Sequence, residues 1–310
     1  MKKILTVFIG AFLVLGMSAC CASPADTQNL RIFSVENSKG AINAKSIEKA
    51  FNASGVVVDV NNNMNSIFEK RYGFIHHKAY NLAIFTNKEL LTKLMTKYPS
   101  IGLITPLSMS IYEDGAKNTI NVSTLSLVGM ARITKIPVTN PDLIAYAASV
   151  DKALHKALPN GKYLEVSHNV QVSTKSLTTD FEMELEVEED MTIVDAKDAF
   201  KEEFEGELGP VGFLIPKSYQ LEHEGYDFFD TYSIIRFNAI FPVSKEHPDA
   251  GAYAPFSIVM YKKKGEDMMH IAFPSIDNWI TDLDITDDKS AKVVRETHGM
   301  IQDILTELTE

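Results

Sequence analysis

Two stretches of the chain match each other 149 residues apart, and that recurrence constrains the fold more than any other feature. The first is Thr105-Pro106-Leu107-Ser108-Met109-Ser110-Ile111-Tyr112; the second is Ala254-Pro255-Phe256-Ser257-Ile258-Val259-Met260-Tyr261. Pro, Ser and Tyr recur in register, and a turn glycine follows each copy, at Gly115 and Gly265. After each turn comes a strand pattern, Thr119–Ser123 and Met268–Ala272. Upstream, Ala50-Phe51 and Ala199-Phe200 lie on helical patterns at the same separation. Each copy closes on an amphipathic helix. One carries Leu143, Ala147, Val150, Leu154 and Leu158 on a single face; the other carries Val294, Thr297, Ile301, Ile304 and Leu308. Solenoid units run about 20–50 residues, so a period of 149 is a tandem duplication of a whole domain.

Within the first copy the pattern predicts a strand at Arg31–Val35, a helix over Ala41–Ala53 and a β-branched strand at Val56–Val60. A polar helix or loop follows at Asn62–Arg71, then a strand at Leu82–Thr86 and a helix at Lys88–Lys97 that stops before Pro99. In the second copy Phe181, Met183, Leu185 and Val187 alternate with Glu182, Glu184, Glu186 and Glu188, a half-buried strand with one wet face. A helix at Thr192–Phe204 and strands at Tyr232–Phe241, Phe256–Tyr261 and Met268–Phe273 complete it. Strands outnumber helices and several are joined by hairpins. The expected fold class is α+β: two similar domains, each an antiparallel sheet with helices on one face. The breaker Pro159-Asn160-Gly161 sets the boundary, giving domains at 30–159 and 160–310. The short linker and the bare sheet face predict that the copies pack as an intramolecular pseudo-dimer, monomeric in solution.

Ahead of the repeats, Lys2-Lys3 precede an apolar run from Ile4 to Met17, too short to span a bilayer and read as a signal-peptide core. Ser18-Ala19-Cys20 resembles a bacterial lipobox ending, with Cys20 as the lipidation site. Ordinary cleavage near Ala22 or Ala25 is the alternative. The expected plan is a signal peptide at 1–19 and a lipidated tether at 20–29, placing the protein in a bacterial cell envelope, held to a membrane and facing the periplasm or exterior. No Cys follows Cys21, so the folded part holds no disulfide, thiolate metal site or cysteine nucleophile.

Asn81-Leu82-Ala83-Ile84-Phe85-Thr86-Asn87-Lys88-Glu89-Leu90-Leu91, Tyr98-Pro99-Ser100-Ile101 and the Pro106 strand through Glu113-Asp114-Gly115 carry a family likeness. Over residues 40–125 the chain resembles the bacterial and archaeal family called domain of unknown function 302. Copy two fits loosely, departing by an apparent inserted loop at Ser244–Tyr253 and by Lys262-Lys263-Lys264 in its turn. The resemblance implies a compact domain with a TATA-binding-protein-like arrangement of sheet and helices, and a family that dimerises or carries tandem copies. It supplies no catalytic residues.

The net charge of −11 argues against a nucleic-acid partner. No phosphate loop, dinucleotide fingerprint, nucleophile elbow or zincin helix occurs, so no cofactor and no enzyme activity are expected. Tyr112 and Tyr261 end equivalent strands, and Asn121 and His270 stand at equivalent places on the next; these four are the candidate lining of a cleft between the copies. His76-His77 read as solvated loop residues, and Asp282, Asp284, Asp287 and Asp288 as helix entry and solvation rather than a calcium or other metal site. The functional expectation is a non-catalytic binding or structural module with a small ligand or an envelope protein as partner. Its alternatives are an extracytoplasmic small-ligand carrier and a carboxylate-dependent hydrolase.

Overall fold

The computed structural model describes residues 28–114, 116–166, 171–185, 187 and 189–310. Cys20 and the leader lie outside the described residues, as do Gly115, Glu186 and Glu188. The first half runs β1 (Leu30–Glu36), α1 (Ala44–Asn52), β2 (Val57–Asn63), α2 (Met64–Tyr72), β3 (Tyr80–Thr86) and α3 (Lys88–Met95). A 3-10 turn (Pro99–Ile104) leads into β4 (Leu107–Asp114), β5 (Thr119–Leu125), α4 (Leu127–Thr134), α5 (Pro141–Ala157) and β6 (Lys162–Leu164). Asparagines set several helix starts: the Asn43 side chain accepts from Ser46 N at α1, and Asn140 caps α5 just before Pro141.

The second half runs β7 (Thr178–Glu184), α6 (Ile193–Leu208), β8 (Phe213–Gln220), β9 (Tyr226–Arg236) and α7 (Phe237–Glu246). A second 3-10 turn (Pro248–Ala252) leads into β10 (Phe256–Lys263), β11 (Met268–Pro274), α8 (Asp277–Asp282) and α9 (Asp288–Thr309). All strand pairs are antiparallel. The first sheet has the order β2-β3-β4-β5-β1-β6; the second, read from β8, is β8-β9-β10-β11-β7. Apart from β6, which has no counterpart, the strand order is the same, which bears out an α+β fold of two similar units. A cis bond precedes Pro106 and another precedes Pro255.

Three expectations need correction. The strand drawn over Tyr232–Phe241 ends at Arg236, and Phe237–Glu246 is helix α7 despite Pro242 inside it. An apolar run read without its period hid the switch from strand to helix. The stretch Ser244–Tyr253 is no insertion; it holds the second 3-10 turn, which enters its strand as the first does. What differs is that the second half has no counterpart of α2 between β8 and β9, nor of β6. The breaker at Pro159–Gly161 falls before β6, which pairs with β1 in the first sheet.

Alternation along the strands gives each sheet two faces. In the first, Phe33 meets His155 of α5 and Phe85 meets Phe51 of α1, so their face is the helix-backed one. Leu82, Ser110 and Ser123 form a cross-strand row on the opposite face. That face is covered by the other half. Gly251 of the second 3-10 turn lies directly on Ser110 and Leu82, and Gly102 of the first lies on Val259 and Phe229. These two glycines are themselves 149 residues apart. The hydroxyl of Ser108 donates to the Pro255 carbonyl, and that of Ser257 donates to the Pro106 carbonyl at 3.0 Å. Ser123 donates to the Asp249 carbonyl at 2.8 Å. One apolar core therefore runs across both halves, from Phe51 through Ile101 and Leu107 to Phe229, Val243 and Trp279, and a second lies behind the second sheet around Phe204, Tyr232 and Ile258.

Candidate apolar binding site

Behind the second sheet, the ends of β9, β10 and β11 line a cleft together with α7, α8 and α9. Ile234 and Phe256 are register partners, so they and Phe273 face the helix layer together. Ile240 comes from α7, Trp279 from α8, and Val294 and Ile301 from α9. Between them is a cavity of about 40 Å3. The unliganded cleft is thus narrow, and its wall is mostly apolar. Its volume is well below the roughly 300–1,000 Å3 of typical ligand pockets, so a guest would have to part the sheet from the helices to enter.

Three polar groups stand in this wall: Arg236, Thr297 and His298. Arg236 ends β9 and points across to α9. Its Nε donates to the Val211 carbonyl at 3.1 Å and its Nη1 to Thr297 Oγ1 at 3.3 Å. Among the described residues no carboxylate lies within 4.0 Å of this guanidinium, and its remaining N–H groups have no protein acceptor. His298 rests against the Phe273 ring, 5.2 Å between centroids, with Thr179 Oγ1 3.4 Å from its Nε2. Burial holds the His298 imidazole below its ordinary pKa, against the opposing pull of Asp277 and alongside the repulsion of Lys175. The shift favours the uncharged ring.

At the matching place in the first half the space is filled. Phe85 and Asn87 stand 149 residues before Ile234 and Arg236. Phe85 is fully buried against Phe51, and Tyr146 is fully buried beside the Asn87 backbone. Aromatic side chains fill on one side what stays open on the other.

Tyr112, Asn121, Tyr261 and His270 form two separate pairs rather than one cleft. Tyr112 is the register partner of Asn121 and Tyr261 of His270, each pair on the face of its own sheet away from the helices. Tyr112 and Asn121 are buried, and burial near Asp249 pushes the Tyr112 phenol well above its usual range. Tyr112 therefore has no wet end. Tyr261 stacks on His270 at 4.9 Å and on Phe229 at 5.7 Å, and burial raises its phenol to about 12. His270 is bracketed by Glu182 at 3.0 Å and Glu266 at 3.3 Å.

His76 and His77 are half-buried rather than solvated. His76 packs 4.5 Å from Phe241 of α7, and His77 donates from Nε2 to the Ser244 carbonyl at 2.6 Å. Of the four aspartates, Asp287 caps α9 by accepting from Ser290 N at 2.7 Å, as a helix entry should. Asp282 instead is buried, ion-paired to Arg132 and hydrogen-bonded to Tyr253, with Asn29 donating to it at 2.7 Å. It is an anchor between the halves. No local sequence pattern marks it, because Arg132 and Tyr253 lie far from it in sequence.

Fold and site together describe a two-sheet α+β chain whose halves share a core, with an apolar cleft in the second. Residues 41–160 match the family model described as domain of unknown function DUF302. A solved structure, an uncharacterised conserved protein of that family from Bacillus stearothermophilus, is 16% identical with a TM-score of 0.31, covering 41% of this chain and 94% of its own. Among curated proteins, no relative matches the chain.

Proposed function

We propose that this chain is a bacterial envelope lipoprotein that binds a small apolar ligand without transforming it, built from two fused copies of one domain. The observation that carries the reading is the cleft behind the second sheet. In this reading the first copy is a filled scaffold, and the second has kept the fold while opening its core between sheet and helices. Support for a duplication comes from the common strand order and from the paired seats of Gly102 and Gly251. The cleft wall offers a guanidinium and an imidazole but no carboxylate, which favours binding over carboxylate-dependent hydrolysis.

The anchor fits the same picture. Asn29 is bonded to Asp282 at the end of α8, one turn from Trp279 in the cleft wall. A lipid on Cys20 would be eight residues from Gln28, about 26–29 Å at full extension. The cleft would then stand close to the membrane surface, where apolar ligands concentrate, and the several acyl chains of a mature lipoprotein would hold it there. The test is native mass spectrometry of the protein extracted from its own membranes. The expected spectrum shows an acylated Cys20 and a non-covalent guest that is lost on denaturation. An unmodified N-terminus and a guest-free mass would count against the reading.

A further inference from the structure

Arg236 is the feature of the cleft that apolar binding alone leaves unused. A guanidinium always carries its charge at physiological pH, and placing it beside an apolar wall without a counter-charge is costly. Arg236 is half-buried, and elsewhere in this half the buried or half-buried cations have carboxylate partners: Lys201 sits 2.6 Å from Asp230, Lys197 3.0 Å from Asp198 and Lys262 2.7 Å from Asp227. Arg236 has only a carbonyl and a hydroxyl. Those two bonds hold it between α9 and the turn ahead of β8 and leave further N–H donors for an anion. Beyond it lie Ile234, Ile301, Phe256 and Phe273, with no acidic side chain in the wall.

We propose that the cleft takes a fatty-acid-like carboxylate, with its alkyl chain among Ile234, Phe256, Phe273 and Ile301 and its carboxylate on Arg236. The inference rests on the reading of the cleft as a ligand site. A narrow slot suits a flexible chain better than a fused ring, and a planar carboxylate matches the guanidinium fork. His298, held toward its uncharged form, adds a hydrogen-bonding group at the same mouth without altering the preference for a negative head.

Trp279 lines the cleft and is the sole tryptophan of the chain, so its fluorescence reports occupancy directly. The experiment titrates the protein with octanoate, octanol and octylamine, which share a chain length and differ in head charge. Octanoate is expected to bind at least tenfold more tightly than octanol, with octylamine weakest. Arg236→Gln should lower octanoate affinity to the octanol level and leave octanol unchanged, whereas Arg236→Lys should retain part of the preference. Equal affinity of the wild-type protein for octanoate and octanol would overturn the carboxylate assignment while leaving an apolar ligand site. No response to any of the three would overturn both. The wild-type charge series decides the matter even if a variant fails to fold.

Discussion

Gly251 is where the contact between the halves is most exposed to a one-atom test. A Cβ built there would sit 2.7 Å from Ser110 N and 2.8 Å from Leu82 Cδ2, and closer still to the Ser110 Cβ. Backbone is among the clashing atoms, so the neighbours cannot escape by changing rotamer. Overpacking of a well-filled interior costs about 1–3 kcal/mol, and two clashing atoms on a rigid strand place Gly251→Ala near the top of that range. For a chain of this size about 1 kcal/mol moves the melting temperature by ~2–4 °C, so the expected drop is roughly 5–10 °C. Gly102→Ala meets Val259 instead, with its Cβ at 2.6 Å. There the double variant Gly102→Ala/Val259→Ala should recover part of the loss, because a movable side chain supplies much of the clash. Ser110→Gly should rescue Gly251→Ala less, since the backbone contact stays. The control is Gly299→Ala in α9, where an added Cβ meets nothing within 4 Å. Helix propensity makes it more stable by about 0.5–1 kcal/mol. Melting by circular dichroism reads all of these. A Gly251→Ala protein that melts within a degree of wild type would show that the second 3-10 turn does not seat on the first sheet.

Other outcomes follow from the same contacts. Asp282→Asn leaves Arg132 without its buried partner and should cost toward the lower end of ~3–5 kcal/mol in urea unfolding, because Arg132 keeps some solvent; a change under about 1 kcal/mol would contradict the anchor role. His298 has its pKa lowered in the folded protein, so the unfolded chain binds the extra proton first as pH falls. Stability should therefore be full above the unfolded value of about 6.5 and decline as pH drops from there through the lower folded value. In thermal melts across that window His298→Asn should be flatter than wild type, and an unchanged slope would refute the assignment. Cys20→Ser should move the protein from the membrane to the soluble envelope fraction; retention with normal leader cleavage would argue against lipidation.

Much of the architecture was visible in the residue pattern because it is local. The strands at Pro106 and Pro255 announce themselves by alternation and by a glycine turn, and α5 and α9 by their apolar faces. Tyr232–Phe241 misled because apolar residues continue across Arg236 while their period changes from strand to helix. Gly102 and Gly251 carried a readable signal, an identical residue at the repeat separation outside any hairpin turn. Their role is a contact between distant segments, which no local pattern encodes. The same holds for Asp282, whose partners Arg132 and Tyr253 come from other elements. The four residues expected to share a cleft fall into two register pairs, Tyr112 with Asn121 and Tyr261 with His270, because matching positions in two similar sheets place residues on each sheet separately. The cleft behind the second sheet was beyond reach from sequence. It is made by six elements and by a packing misfit, and a misfit has no motif.

The most direct test of a ligand-binding second half is methyl NMR of the protein labelled at isoleucine δ1 carbons, titrated with octanoate. Ile234, Ile240, Ile276 and Ile301 line the cleft, whereas Ile32, Ile47 and Ile120 belong to the first half. Saturable shifts confined to the first group are the predicted result. Shifts spread evenly over both groups, or confined to Ile32, Ile47 and Ile120, would contradict the assignment of the second half as the binding half.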